Sequence, residues 1–362
     1  MKRIVICADG TWNQLDQINS MSGKRRPTNV AKVARAVNTR SEDGTPQVVY
    51  YHSGVGTGGP LDHVTGGAFG HGMQENIRAL YRFILYNHEP GDQLYLFGFS
   101  RGAFTVRSLA GFMHRYGLVR KGDDYWVPEM YQAYENDIAE GTPQWDALFV
   151  NPQTGKRRIQ QTRPCPTIDF LGVWDTVGSL GAPGLVGRIF NDKRYRNHDV
   201  ALNAHIRYAA HALALDERRE PFAPSLWRKP PGWTGTLEQT WFAGVHSNVG
   251  GSYDPDGLAN IALHWMVAHA RRVGLRCDAD YLHYFSPRPD STLNDSMTAG
   301  YSLMRPFQAP FTRTVRTDPD CNETLHRSVL TRRDQPGLGQ TPYAPPQPRA
   351  VIDALPVVDT PT

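Results

Sequence analysis

Three side chains far apart in the chain share one kind of surrounding: Ser100, Asp175 and His246 each stand where an apolar run gives way to turn residues. Ser100 is the centre of Gly98-Phe99-Ser100-Arg101-Gly102, with Leu94-Tyr95-Leu96-Phe97 before it. After it, Ala103, Phe104, Val106, Leu109, Ala110 and Met113 give a largely apolar helical pattern. A strand that enters a helix through G-x-S-x-G is the pattern of a nucleophile elbow, the tight turn that lifts a serine hydroxyl clear of a sheet. Gly98 and Gly102 suit that turn because side chains there would meet the neighbours of the serine. The chemistry is attack on an acyl ester through a covalent acyl-serine. A serine in an ordinary structural turn is the competing reading.

A serine nucleophile needs a base, and the base needs an orienter. Asp175 directly follows the strand-like Phe170-Leu171-Gly172-Val173-Trp174, and His246 follows Thr240-Trp241-Phe242-Ala243-Gly244-Val245 and precedes Gly250-Gly251. The chain order Ser, Asp, His is one that elbow enzymes use. Asp169 or Asp199 takes the acidic role if the strand ends elsewhere. His205, His211, His264 and His269 fall on expected helices, where a structural role suffices. The oxyanion of the tetrahedral intermediate also needs donors. The backbone N–H of Arg101 is one, and the loop Asp9-Gly10-Thr11-Trp12-Asn13 supplies the second through Gly10 or Thr11. Asp9 has an alternative use, capping that loop with its side chain.

These groups are positioned by alternating strands and helices. Arg3–Ala8 reads as a buried strand, Pro27-Thr28-Asn29 as a cap for a helix over 30–37, and Gln47–His52 as a second strand. A glycine-rich loop over 54–72 leads into a helix with Met73, Ile77, Leu80, Tyr81, Ile84 and Leu85 on one face. Further on come a strand over 167–174, a helix over 199–215, a strand over 237–245 and a helix carrying Leu258, Ile261, Trp265 and Ala268. The alternation predicts an α/β fold with a mainly parallel sheet and helices on both faces. Residues 122–162 break it and read as a lid insertion in which Trp126 and Tyr131 cover the acyl group, or as an ordinary surface excursion. The expected organisation is one catalytic domain over 1–334 and a proline-rich tail over 335–362.

Composition limits the partners. The 39 basic and 35 acidic residues give a net charge of +4, too even a mixture for a nucleic-acid partner. Cys7, Cys165, Cys277 and Cys321 form neither a zinc motif nor a disulfide framework, so no metal and no cofactor are expected. Ile4–Ala8 is too short for a signal-peptide core, and no run reaches the roughly 20 apolar residues of a membrane span. The expectation is a cytoplasmic protein, or one exported without a cleavable signal peptide, and no stable membrane insertion. Gly54-Val55-Gly56-Thr57-Gly58-Gly59 fits G-x-G-x-x-G, yet Pro60 and the glycines after it deny the immediate helix that dinucleotide binding requires. Asp9-Gly10-Thr11 follows a strand as in aspartate phosphatases, but Cys7 stands where their nucleophile belongs.

Six ordered blocks carry a resemblance: residues 7–13, 27–30, 54–57, 98–103, 172–178 and 245–251. Over roughly residues 3–275 the chain resembles a bacterial and fungal α/β-hydrolase family of formerly uncharacterised function that includes phospholipase effectors delivered by type VI secretion. The resemblance implies an α/β-hydrolase fold, a Ser100, Asp175, His246 triad, a lipid or phospholipid substrate and a secretion-system partner. Asn248 stands where many relatives carry aspartate, and the chain is too short for the extra membrane-anchoring region of the large effectors. A catalytically silent hydrolase fold that serves as a binding or adaptor protein in a secretion locus is the reading from a different class.

Overall fold

The computed structural model of the chain describes residues 1–10, 13, 15–16, 23–54, 66–159 (66–71 by backbone alone), 162–177, 201–297, 310–315, 318–335 and 342–362. Its strands are β1 (Arg3–Ala8), β2 (Gln47–His52), β3 (Gln93–Phe99), β4 (Leu118–Val119), β5 (Thr162–Arg163), β6 (Ile168–Trp174), β7 (Tyr208–Ala214), β8 (Thr236–Phe242), β9 (Glu323–His326) and β10 (Val357–Val358). Eight of them form one sheet in the order β10-β9-β8-β7-β6-β3-β1-β2, and every neighbouring pair is parallel. β4 and β5 pair separately, antiparallel.

Period-two alternation sorts the strand side chains onto two faces. Ile4, Ile6, Leu94 and Leu96 point into one core with α2 (Gly66–Asn87) and α3 (Arg101–Tyr116). Val5, Cys7, Tyr95, Phe97 and Phe170 point into the other, covered by α1 (Asn29–Ala36) and by a later helix over 257–272. Thr28 caps α1 by accepting the Ala31 N–H at 3.1 Å and donates its own hydroxyl to Asp9 Oδ2 at 2.6 Å. One residue therefore starts a helix and ties it to the loop after β1.

Three expectations are corrected. Residues 208–214, expected within a helix, are the strand β7. Tyr-Ala-Ala-His-Ala-Leu-Ala favours a helix locally, but all seven residues are buried between β6 and β8, and ladder bonds on both sides decide the outcome. His211 is thus a strand residue that accepts the Thr176 N–H, and His205 lies just before β7. Helix α2 begins at Gly66, inside the stretch expected to be loop. The C-terminal stretch is no loose tail: β10 pairs with β9, and Ile352 and Leu355 are buried with Leu213, Trp241 and Leu325. Tyr343 donates to Asp216 Oδ2 at 2.9 Å and Gln347 Nε2 to Leu215 O at 2.9 Å. Truncation after residue 341 should accordingly lower the melting temperature by about 10 °C or more, since it exposes a buried cluster instead of removing solvated chain. Unchanged melting of the truncated protein would refute this.

Candidate active site

The carboxyl ends of β1, β3, β6 and β8 converge on one edge of the sheet, the place where a parallel α/β sheet leaves room for a ligand. Ser100 follows β3 with φ 56° and ψ −120° and Asp175 follows β6 with φ 41°, a left-handed backbone that non-glycine residues avoid. Such conformations cost about 1–3 kcal/mol each and persist where the surroundings enforce them. Enforcement is visible at Ser100. A Cβ on Gly102 would lie 2.1 Å from Ala8 O, and one on Gly98 would lie 2.5 Å from Gly102 O, so helix α3 presses directly on the end of β1. The Ser100 N–H donates to Trp174 O at 3.1 Å, pinning the turn to the strand end that carries Asp175.

His246 opens the short helix α6 (His246–Gly250), which follows α4 (Val127–Glu135) and α5 (Pro143–Phe149). Phe99, the residue before the serine, packs its ring at a tilt against the imidazole at 4.6 Å, and Phe222 meets the imidazole edge-on at 5.0 Å. The Nδ1 atom of His246 lies 2.6 Å from Asp175 Oδ2, which fixes that nitrogen as the proton donor and leaves Nε2 as the basic one. Burial drives the His246 pKa below its usual 6.5, outweighing the pull of Asp175 in the other direction. The Asp175 carboxyl is wholly buried, which alone would raise its pKa, yet the Arg313 charge and the His246 bond hold it well below the usual carboxylate range. The pair is therefore carboxylate and neutral imidazole at neutral pH, the state a general base requires.

Around this pair lie charges that local sequence patterns do not announce. Glu217 Oε2 accepts the His246 N–H at 3.1 Å, and Glu217 is itself bound by Arg219 at 2.8 Å. Burial raises the Glu217 pKa, but the Arg219 bonds hold it down to about 2. Arg313 grips Asp175 from a segment more than a hundred residues away in sequence, and no motif marks it.

Gly10 abuts the serine: a Cβ there would be 3.2 Å from Ser100 Cβ and 3.3 Å from the Phe99 ring. Its N–H donates to Asp9 Oδ1 at 2.7 Å, and Asp9 Oδ2 accepts the hydroxyls of Thr28 at 2.6 Å and Tyr51 at 2.7 Å. Asp9 is thus a loop cap, with burial pushing its pKa up to about 6 against these donors. Arg101 opens α3, where backbone N–H groups point out of the helix toward the turn. Thr11, Asp199 and the 55–59 part of the G-x-G-x-x-G stretch lie outside the described residues. Asp169, the second residue of β6, accepts Leu94 N–H and Arg207 at the opposite edge of the sheet, away from Ser100.

Tyr131 and Trp126, the residues of the lid reading, pack within the domain, as an ordinary surface excursion would have them. Tyr131 of α4 is buried against Phe112, with ring centroids 5.5 Å apart, and Phe112 lies roughly 16 Å along α3 from Arg101. Trp126 carries Arg158 over its ring at 4.5 Å. Apolar residues of the insertion, among them Val127, Met130, Tyr131 and Phe149, complete the core built with α2 and α3. Tyr131→Ala should therefore destabilise the fold by about 3 kcal/mol and lower activity on short and long acyl chains alike. A selective loss on long chains alone would contradict it.

The sequence model of the family described as T6SS, phospholipase effector Tle1-like, catalytic domain matches residues 2–269. The uncharacterized protein YEL023C of Saccharomyces cerevisiae is 30% identical over 236 residues, covering 61% of this chain and 32% of that protein. Among solved structures, an uncharacterized protein from Pseudomonas aeruginosa aligns over 79% of this chain and 49% of its own, at 18% identity and a TM-score of 0.46. The Tle1 effector bound to the VgrG spike of the type 6 secretion system aligns over 70% of this chain and 51% of its own, at 20% identity and a TM-score of 0.35. The chain thus spans about a third of the curated relative and about half of each solved chain.

Proposed function

Because the chain belongs to the family of type VI secretion phospholipase effector Tle1-like catalytic domains, we propose that it cleaves acyl esters of phospholipids through an acyl-serine intermediate. The observation that carries this reading is the 2.6 Å contact of His246 with a buried, ionised Asp175, together with the strained turn of Ser100, whose preceding residue Phe99 packs on the imidazole. In the proposed reaction His246 Nε2 takes the Ser100 hydroxyl proton as Oγ attacks the ester carbonyl, and Asp175 stabilises the imidazolium that forms. The Arg101 N–H, at the positive end of α3, receives the oxyanion. Gly10 abuts Ser100 with its N–H already given to Asp9, which leaves Thr11 as the remaining candidate for the second donor. The imidazolium then returns its proton to the leaving alcohol, and water repeats the sequence to release the fatty acid.

No helix among the described residues is long and apolar enough to cross a membrane. A lipid substrate is accordingly met at the surface of the bilayer, and delivery of the protein by a secretion-spike partner is part of the proposal. Release of fatty acid from mixed phospholipid vesicles, with a fluorophosphonate probe reporting on Ser100, tests the reading. Labelling of Ser100 together with fatty-acid release is the expected result. A protein that neither labels nor releases fatty acid is a silent hydrolase fold.

A further inference from the structure

Asp175 accepts four hydrogen bonds, and two of them come from one residue. Arg313 has no exposed side-chain surface. Its Nη1 donates to Asp175 Oδ1 and to Ala214 O, both at 2.6 Å, while Nη2 donates to Asp175 Oδ2 at 3.0 Å and to Phe222 O at 2.5 Å. The Ala214 N–H adds a bond to Oδ1 at 2.9 Å. Oδ2 is thus shared between Arg313 and His246. The two-pronged bond sets the plane of the carboxylate and, through it, the direction of the imidazole. Phe222, whose carbonyl Arg313 also holds, packs edge-on against that imidazole, so one guanidinium holds two of the residues that contact the ring. Gln347 Nε2 braces the arrangement from the C-terminal segment by donating to Arg313 O at 3.3 Å.

Arg313 also acts on buried Asp216, whose pKa burial raises to about 6 against bonds from Gly244 N–H and Tyr343; the other charges around the Asp175–His246 pair form opposite couples. Arg313 opposes Asp175 and Arg219 opposes Glu217, and His211 is held neutral by burial, with its pKa down at about 3. Arg107, which also faces His211, adds positive charge one layer further out. Taking away the Arg313 charge would leave a buried carboxylate uncompensated, and the pair would hold an extra proton more tightly whichever atom carried it. A pair that already holds the extra proton cannot accept the one from Ser100.

We infer that Arg313 is a positioning residue of the hydrolase: it aims the Asp175 carboxylate at His246 and keeps the pair ready to accept the proton from Ser100. This rests on the Ser100, Asp175, His246 reading given above. The carboxylate of such a pair is thus kept ionised by an internal counter-ion, not by solvent, and the counter-ion comes from a segment outside the region matched by the family.

The test is the pH profile of kcat/KM on a soluble short-chain p-nitrophenyl ester, with active serine counted by fluorophosphonate titration so that misfolded protein drops out. In Arg313→Gln the acid limb should move up by about one pH unit, the sign following from the lost positive charge. In Arg313→Lys the charge remains but one ammonium cannot grip both oxygens, so the limb should stay within about half a unit while kcat falls about tenfold at unchanged KM. An Arg313→Gln limb that coincides with wild type would overturn the inference, as would wild-type kcat in Arg313→Lys. Should Arg313→Gln not fold, Arg313→Lys decides by its kcat; failure of both to fold makes Arg313 a residue of folding and also overturns it. Ser100→Ala separates the premises: activity surviving there removes the triad itself, whereas a dead Ser100→Ala with an unmoved Arg313→Gln limb removes only the role of Arg313.

Discussion

Ser100→Ala should reduce ester hydrolysis by at least about a thousandfold without altering the fold, because it removes one oxygen at a turn whose shape is set by its neighbours. The constraints on that turn come from Gly98, Gly102, the Trp174 carbonyl and the first turn of α3, and none involves the serine hydroxyl. His246→Ala removes the base and should be comparably severe. Asp175→Asn should cost nearly as much: it reverses the hydrogen-bond demand on His246 Nδ1, which now donates at 2.6 Å to an oxygen, and leaves Arg313 buried without its counter-charge. Combining Ser100→Ala with either change should add little, since three groups that act on one proton fail together. The measurement is kcat/KM on purified single and double variants with matched melting curves. A tenth of wild-type activity in Ser100→Ala, or losses that multiply, would exclude a shared mechanism.

The second large effect is expected at Gly102→Ala. A glycine inside a helix normally costs about 1 kcal/mol relative to alanine, so propensity by itself favours the substitution. Contact reverses the sign. The new methyl would sit 2.1 Å from Ala8 O and 2.6 Å from both Ala8 C and Asp9 O, all of them backbone atoms of a central strand and its loop. No side-chain rotation relieves this. Helix α3 must lift from the end of β1, or β1 must shift within a sheet that pairs it on both sides. Overpacking of this kind costs typically about 1–3 kcal/mol and more against rigid backbone, so a net loss of about 3 kcal/mol is expected. Activity should fall more than stability, since the lift moves Ser100 and the Arg101 N–H away from His246. Thermal unfolding together with kcat on the folded protein checks both parts. A variant that melts at or above wild type with full activity would show that α3 can move away freely.

Both expectations concern a turn that the sequence displays openly. An apolar strand, two glycines flanking a serine and an apolar helix are neighbours in the chain, and neighbours in the chain are what local sterics act on. The end of β6 is legible for the same reason, whereas β8, expected over 237–245, ends at Phe242, and His246 stands four residues beyond it at the start of α6. Asp175 and His246 were accessible to sequence reasoning as residues at expected strand ends. Their 2.6 Å approach was not, because it depends on β7 lying between β6 and β8 in the sheet.

Elements whose signal lies within about ten residues follow from local pattern: the elbow, the cap at Thr28, the alternation that demands a parallel sheet, and the apolar helix faces. The tertiary structure alone decided the rest. It turned the alanine-rich 208–214 into a strand because ladder bonds from two neighbours outweigh a helix preference of tenths of a kcal/mol per residue. It sent the aromatic insertion to the far end of α3, where an unfilled core lay open. It drew a proline-rich C-terminus into the sheet edge and carried Arg313 onto Asp175. In each case the energy comes from burying or pairing groups separated by many residues, and a partner distant in the chain leaves no mark on the local pattern that sequence reading depends on.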